Sequence, residues 1–263
     1  MQNFATIATS SDDIFSRTPP KADTRLEYGN DENQFIDLRL PKGKGPHPLA
    51  INIHGGFWRA KYDLTHAGHL CAALTAKGLA TANVEYRRVG NVGGGWPGTF
   101  ADIRAAYRFL SQSGRKYEYD TRRVIVLGHS AGGQLALCLS AHESGVKAVI
   151  SLAGVVDLRR AYALHLSNNA VVEFLGGTPS EVADHYREAD PMNLAITAQQ
   201  WLVHGASDDT VPPVFSRDYV SAKQKAKEDA RLVEIAGASH FDVVDPQSAA
   251  WREVERVVMA ATG

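Results

Sequence analysis

Short apolar runs that are continuous rather than alternating recur along this chain of 263 residues, and segments of helical period separate them. Leu49–Ile53, Ala80–Tyr86, Val124–Gly128, Ala148–Leu152, Trp201–His204 and Arg231–Ile235 read as strands. A strand that is apolar on both faces needs cover on both faces, so the pattern predicts a mostly parallel sheet between two layers of helices, an α/β fold. Thr65–Lys77, Thr99–Ser111, Ala131–His142, Pro213–Lys227 and Val243–Ala261 supply the helices, with Gly78 placed to stop the first. Right-handed crossovers between parallel strands then set most of the topology.

Two stretches depart from this rhythm. Leu26–Leu40 alternates through Phe35, Ile36, Leu38 and Leu40 and ends in the turn-forming cluster Pro41-Lys42-Gly43-Lys44-Gly45-Pro46, which suggests an antiparallel edge hairpin. The stretch from Val155 to Ile196 mixes scattered aromatics, Gly176-Gly177-Thr178-Pro179 and short helical patterns, as a small lid inserted between two strands would. The length is near the limit at which one core stops growing, so residues 1–263 are expected to form a single domain carrying that insertion at about 155–196.

Lys plus Arg number 28 against 29 Asp plus Glu, which leaves no field to steer nucleic acid or an anionic membrane and suits a small neutral substrate. Cys71 and Cys138 fall in helical segments and are expected as buried apolar groups, since two thiols make no disulfide framework. Met1 to Ser16 has neither a basic region nor a continuous apolar run, and Ala148–Val156, interrupted by Ser151 and Gly154, is too short to span a bilayer. A soluble, cytoplasmic protein is the expectation. Oligomeric state is left open, a homodimer included, because it depends on surface geometry.

Chemistry enters at Gly128-His129-Ser130-Ala131-Gly132. The strand Val124–Leu127 precedes it and the helix from Ala131 follows, so Ser130 sits on a sharp strand-to-helix turn. Such a turn leaves no room for side chains two residues before and after the serine, and Gly128 and Gly132 meet that demand. A serine hydroxyl is a weak nucleophile and needs a base, and the base needs a group to orient it. Two later loops leave strand ends at the same sheet edge: Ala206-Ser207-Asp208-Asp209-Thr210-Val211-Pro212 after Trp201–Gly205, and Ala236-Gly237-Ala238-Ser239-His240-Phe241-Asp242 after Arg231–Ile235. His240 is the one histidine that follows the acid loop and is the expected base. Residue type alone does not separate Asp208 from Asp209.

His54-Gly55-Gly56-Phe57-Trp58 closes the strand Leu49–Ile53 on that same edge, and reads as half of an oxyanion hole through the N–H groups of Gly56 and Phe57, with Ala131 N–H completing it. Trp58 and Trp96 are candidates for the walls of a substrate pocket. Gly93-Gly94-Gly95-Trp96-Pro97-Gly98 lacks the lysine and hydroxyl residue of a phosphate loop. His66 and His69, at helical spacing, have no carboxylate or thiol partner nearby and are expected on a solvated helix face rather than as metal ligands.

These residues resemble the α/β-hydrolase superfamily from about Leu26 to Met259. His54–Trp58, Glu85-Tyr86-Arg87-Arg88, Trp96-Pro97, Asp102 and Gly128–Gly133 look like the carboxylesterase and arylformamidase (kynurenine formamidase-like) branch related to hormone-sensitive lipase. That family's order of serine, acid, histidine agrees with the order found here. In its acid loop the carboxylate follows H-G-x-x, which implies Asp208 after His204-Gly205. Phe57 stands where many relatives have a third glycine, as in the formamidase branch, and backbone donation survives either residue.

The resemblance implies a serine carboxylesterase that cleaves small or medium acyl esters through an acyl-enzyme, with Ser130, Asp208 and His240 as the triad and no cofactor or metal. An arylformamidase acting on an N-formyl aromatic amide would use the same triad. A non-catalytic ligand-binding homologue would lack a triad member, and all three are present.

Overall fold

The computed structural model describes residues 13–263; residues 1–12, which hold most of the segment expected to lack a secretion signal, lie outside the described residues. Eight strands form one sheet: β1 Thr24–Glu27, β2 Phe35–Arg39, β3 His47–Ile53, β4 Ala80–Val84, β5 Tyr119–His129, β6 Ala148–Leu152, β7 Gln199–Gly205 and β8 Ala230–Ile235. Their order is β1-β2-β4-β3-β5-β6-β7-β8, with β1/β2 and β2/β4 antiparallel and every other pair parallel. The N-terminal hairpin turns between Tyr28 and Gln34, whose backbone groups bond at 3.0 Å. The Pro41–Pro46 cluster instead carries the chain past β4 to β3. β5 begins five residues before the expected Val124, and the register against β3 shifts at Pro48/Leu49, where proline has no N–H to give the ladder.

The described helices are α1 Asp13–Ser16, α2 Gly68–Ala76, α3 Gly98–Tyr117, α4 Ala131–His142, α5 Leu158–Ala163, α6 Leu166–Leu175, α7 Ala183–Ala189, α8 Val214–Lys225 and α9 Trp251–Thr262. None is long and apolar enough to cross a membrane. Alternate residues of β5 feed two separate cores, as continuous apolar strands require. Val124 and Val126 join Ile103 and Leu110 of α3 and Leu135 of α4, whereas Ile125 and Leu127 join Leu70 and Leu74 of α2 and Val254, Val257 and Val258 of α9. Each of those α9 valines contributes roughly 1.5–3 kcal/mol by leaving water.

Two helices differ from their expected bounds for local reasons. α3 runs past Ser111 to Tyr117 because Ser111 and Ser113 turn their hydroxyls back onto the Tyr107 and Phe109 carbonyls at 2.8 and 2.7 Å, which removes their competition for the backbone. α9 starts at Trp251 rather than Val243, since Pro246 disfavours helix in the residue before it and the Asp245 carboxylate is taken by Gln247 N–H at 2.9 Å and by Arg17. Parallel pairing places the C-terminal ends of β3, β5, β7 and β8 on one edge of the sheet, and the loops leaving those four ends build the site.

Candidate active site

Ser130 adopts φ 55° and ψ −119°, a region that costs an L residue about 1–3 kcal/mol and persists only where neighbours impose it. They do so through the backbone: Ser130 N–H donates to Leu152 O at 2.8 Å, and Ser130 O accepts from Gly133 and Val155 N–H at 3.0 and 3.1 Å. A Cβ on Gly128 would lie 2.0 Å from the Gly132 carbonyl oxygen, and one on Gly132 would lie 2.1 Å from that of Ile53, so only glycine lets β5, α4 and β3 close around the serine. The hydroxyl bonds to no described group. α4 begins at Ala131, directing the first-turn N–H groups, which have no intrahelical acceptor, and its positive dipole end toward the serine.

Asp208 and His240 meet although 32 residues separate them: His240 Nδ1–H donates to Asp208 Oδ2 at 2.7 Å. Their loops are zipped by Ala206 N–H to Ile235 O and Ser207 N–H to Ala238 O, both 2.9 Å, and a Cβ on Gly205 would meet Ala238 O at 2.3 Å. Asp208 is buried and its other oxygen accepts Thr210 and Val211 N–H at 2.9 and 2.8 Å. Asp209 is exposed and, among the described residues, its carboxylate accepts a hydrogen bond only from the hydroxyl of Thr210, at 3.4 Å, which separates the two carboxylates that residue type left open. Burial alone would raise the Asp208 carboxyl, but hydrogen bonds from His204 and His240 outweigh it and hold the group well below the usual aspartate range. With Nδ1–H engaged, the Nε2 of His240 is left to accept a proton.

His204 escaped the sequence reading as a site residue. Its Nε2 lies 3.2 Å from Asp208 Oδ2 and 2.9 Å from Val211 O, and its Nδ1 lies 2.7 Å from Ser216 Oγ on α8. The i,i+4 spacing of His204 and Asp208 across a strand end was the available signal. His129 was missed too: its Nε2–H donates to the His240 carbonyl at 3.0 Å, so the residue beside Ser130 braces the loop that carries His240. Burial, then His240 and His66, push the His129 imidazole far below the usual histidine range, which keeps it neutral.

The loop His54–Trp58 passes against the serine, where a Cβ on Gly55 would stand 3.0 Å from Ser130 Cβ. Gly56, Phe57 and Trp58 have φ values of 110°, 49° and 57°, a left-handed run, and the N–H groups of Gly56 and Phe57 donate to no described residue. Glu85 props this loop from below, with His54 Nε2 at 3.0 Å, Arg88 Nη1 at 2.7 Å and Leu64 N–H at 3.0 Å on its carboxylate. Burial works against that charge, yet His54 and Arg88 win and keep the Glu85 carboxyl below its ordinary value. Tyr86 adds a 2.8 Å bond from its hydroxyl to His54 O. The Glu85–Arg88 motif thus supports the loop His54–Trp58.

Phe15, Gly56, Phe57, Tyr62, His66, His129, Ser130, Thr210, His240 and Phe241 line a cavity of about 390 Å³. Ser130, His240, Gly56 and Phe57 therefore share one space. Trp58 and Trp96 do not form its walls. Trp58 is 1% exposed, stacks on Phe174 of α6 at 4.5 Å and donates to Gln134 at 3.0 Å, while Trp96 stacks on Phe100 at 5.2 Å. Both large rings fill gaps between elements, the commoner fate of tryptophan. His66, expected on a solvated face, is buried against Phe15, His129 and Phe241, and burial drives its imidazole down to about 3. His69 is half-buried and lies 3.2 Å from Arg17 O. Neither histidine belongs to a metal-holding group, none of which occurs among the described residues. No residue of 155–196 lines this cavity; α6 instead backs the loop His54–Trp58 and the segment after it through Phe174 and through Glu173, which pairs with Arg59 at 2.8 Å.

A family model described as BD-FAE matches residues 36–222. A protein of Oryza sativa subsp. japonica named as a probable isoprenylcysteine alpha-carbonyl methylesterase is 24% identical over 246 residues, covering 82% of this chain and 57% of its own length. The chain thus spans little more than half of that relative. Among solved structures, a truncated carbohydrate esterase from gut microbiota superposes with a TM-score of 0.81 at 20% identity, covering 94% of this chain and 99% of that one. Esterase B from Lactobacillus Rhamnosis gives 0.78 at 17% identity, covering 95% and 88%. The shared architecture is the α/β-hydrolase fold, with its antiparallel start and mostly parallel sheet.

Proposed function

The chain belongs to the BD-FAE family, and from that membership and the geometry at the sheet edge we propose that it is a serine carboxylic ester hydrolase acting on small to medium acyl esters. The observation that carries this reading is the 2.7 Å Asp208–His240 pair opening onto the cavity that also exposes Ser130 on its strained turn. Ser130 Oγ attacks the ester carbonyl carbon and its proton passes to His240 Nε2. Asp208 holds the ring by Nδ1 and stabilises the imidazolium that forms. The carbonyl oxygen, now an oxyanion, is cradled by the N–H groups of Gly56, Phe57 and Ala131; one such donor typically lowers the barrier by about 3 kcal/mol. Collapse of the tetrahedral intermediate expels the alcohol, which takes the proton back from His240. A water activated by the same imidazole then attacks the acyl-enzyme and frees the acid and Ser130. The residues in these roles need no metal or cofactor.

An arylformamidase would employ the same groups. The ester reading is preferred because the relatives are named for ester hydrolysis, the rice protein as a methylesterase. Hydrolysis of nitrophenyl acetate and butyrate by wild type, with loss of at least about 10³-fold in Ser130→Ala, is the expected result. Equal turnover by both proteins would refute Ser130 as nucleophile, and a higher kcat/KM for N-formylkynurenine than for every ester would replace the ester by the formamide.

A further inference from the structure

The cavity beside Ser130 has walls from two sources. Gly56, Phe57, Tyr62, His66, Thr210, His240 and Phe241 lie on or beside the loops at the sheet edge, but Phe15 comes from α1, far away in the chain. Its ring stands 5.1 Å from Phe241, edge-on, 5.2 Å from His66 and 6.3 Å from Tyr62. It therefore bridges the loop of the base on one side and the segment following the oxyanion loop on the other.

Residues on either side anchor it. Ile14 is 2% exposed and packs in the core with Leu70, Val243 and Val244, Arg17 Nη2 meets Asp245 Oδ2 at 2.5 Å, and His69 lies against Arg17 O. Phe15 itself is 46% exposed. A large ring left half in water, while its neighbour Ile14 does the anchoring, adds little to the core and offers an apolar face to whatever occupies the cavity.

We propose that Phe15 is a specificity-determining wall: it contacts the apolar arm of the ester and sets the preference for medium over minimal chain length. This rests on the ester-hydrolase reading and deepens it, since the chemistry needs only the groups at the sheet edge. Covering the exposed part of a phenyl ring is worth on the order of a tenfold preference. Phe15 is not a catalytic residue, because a one-carbon acyl tail does not need its surface.

The test measures kcat/KM of full-length wild type, Phe15→Ala and Phe15→Leu on two series: nitrophenyl acetate, butyrate and hexanoate, and then methyl, butyl and hexyl acetate. Phe15→Ala is expected to lower the hexyl-to-methyl or the hexanoate-to-acetate ratio by about tenfold, the longest ester of the series losing most. Phe15→Leu, still apolar, restores most of the ratio. Unchanged ratios in both series, or an equal loss on every ester, overturn the inference and leave the hydrolase reading intact. If wild type hydrolyses no ester and a fluorophosphonate fails to label Ser130, the hydrolase reading falls first and takes the inference with it.

Discussion

Replacing Asp208 by Asn tests the site at its most constrained point. The carboxylate has four donors: Thr210 and Val211 N–H on Oδ1, and His240 Nδ1 with His204 Nε2 on Oδ2. An Asn that keeps its carbonyl oxygen on the two backbone N–H groups must turn its NH2 toward both imidazoles. His240 can accept that NH2 only by moving its own proton from Nδ1 to Nε2, which blocks the nitrogen that should receive the Ser130 proton. The same tautomer error at a serine triad costs about 10⁴ in kcat, or roughly 5.5 kcal/mol of barrier. Losing the ionic hydrogen bond adds about 1–3 kcal/mol of instability. Steady-state kinetics on nitrophenyl butyrate should show kcat falling by about that factor with KM little changed, while Asp209→Asn stays within about twofold. Because the folded carboxyl lies below its ordinary value of 3.8, its stabilisation is complete above that value and is lost only as pH falls through the folded one. The stability gap between wild type and Asp208→Asn should thus stay constant from neutrality down to mild acid and close only in strong acid. Retention of more than about a tenth of kcat by Asp208→Asn, or equal damage from Asp209→Asn, would refute the assignment.

Gly132→Ala would set a Cβ 2.1 Å from Ile53 O and 2.5 Å from His54 O, backbone atoms that cannot step aside, and a loss of more than about 3 kcal/mol in urea unfolding is expected; a variant as stable as wild type would disprove the close approach. His204→Phe should reduce kcat about tenfold by freeing the Asp208 carboxylate, with a moderate fall in thermal midpoint, and full activity would show that His204 does not position it. Burial raises the Asp190 carboxyl from 3.8 to about 7 although Met192 and Leu158 N–H bond to it. The native state therefore binds the extra proton between those values, so stability should fall as pH rises from about 4 to 7, and Asp190→Asn should flatten that slope; a rising slope in wild type would contradict it.

How much was legible depended on how local the cause was. The turn at Ser130 could be read because its glycines exclude side chains from contacts within the turn and with β3, and the apolar runs declared burial on both sheet faces. The start of α9 was misplaced because the pairing of Asp245 with Arg17 is invisible along the chain. The hairpin turn lay upstream of the proline cluster, since nothing local says that β2 pairs with β4 rather than β3.

By itself, the sequence determined the parallel sheet, the strand-to-helix serine turn and the order of serine, acid and histidine, because each follows from residue type and spacing within a few turns of chain. The tertiary structure alone decided that the cavity walls include Phe15, Tyr62, His66 and Phe241 rather than Trp58 and Trp96, and that His204 and His129 brace Asp208 and His240. Which ring faces a cavity and which fills a core is set by packing between segments brought together only on folding, and a pattern read along one chain has no term for that distance.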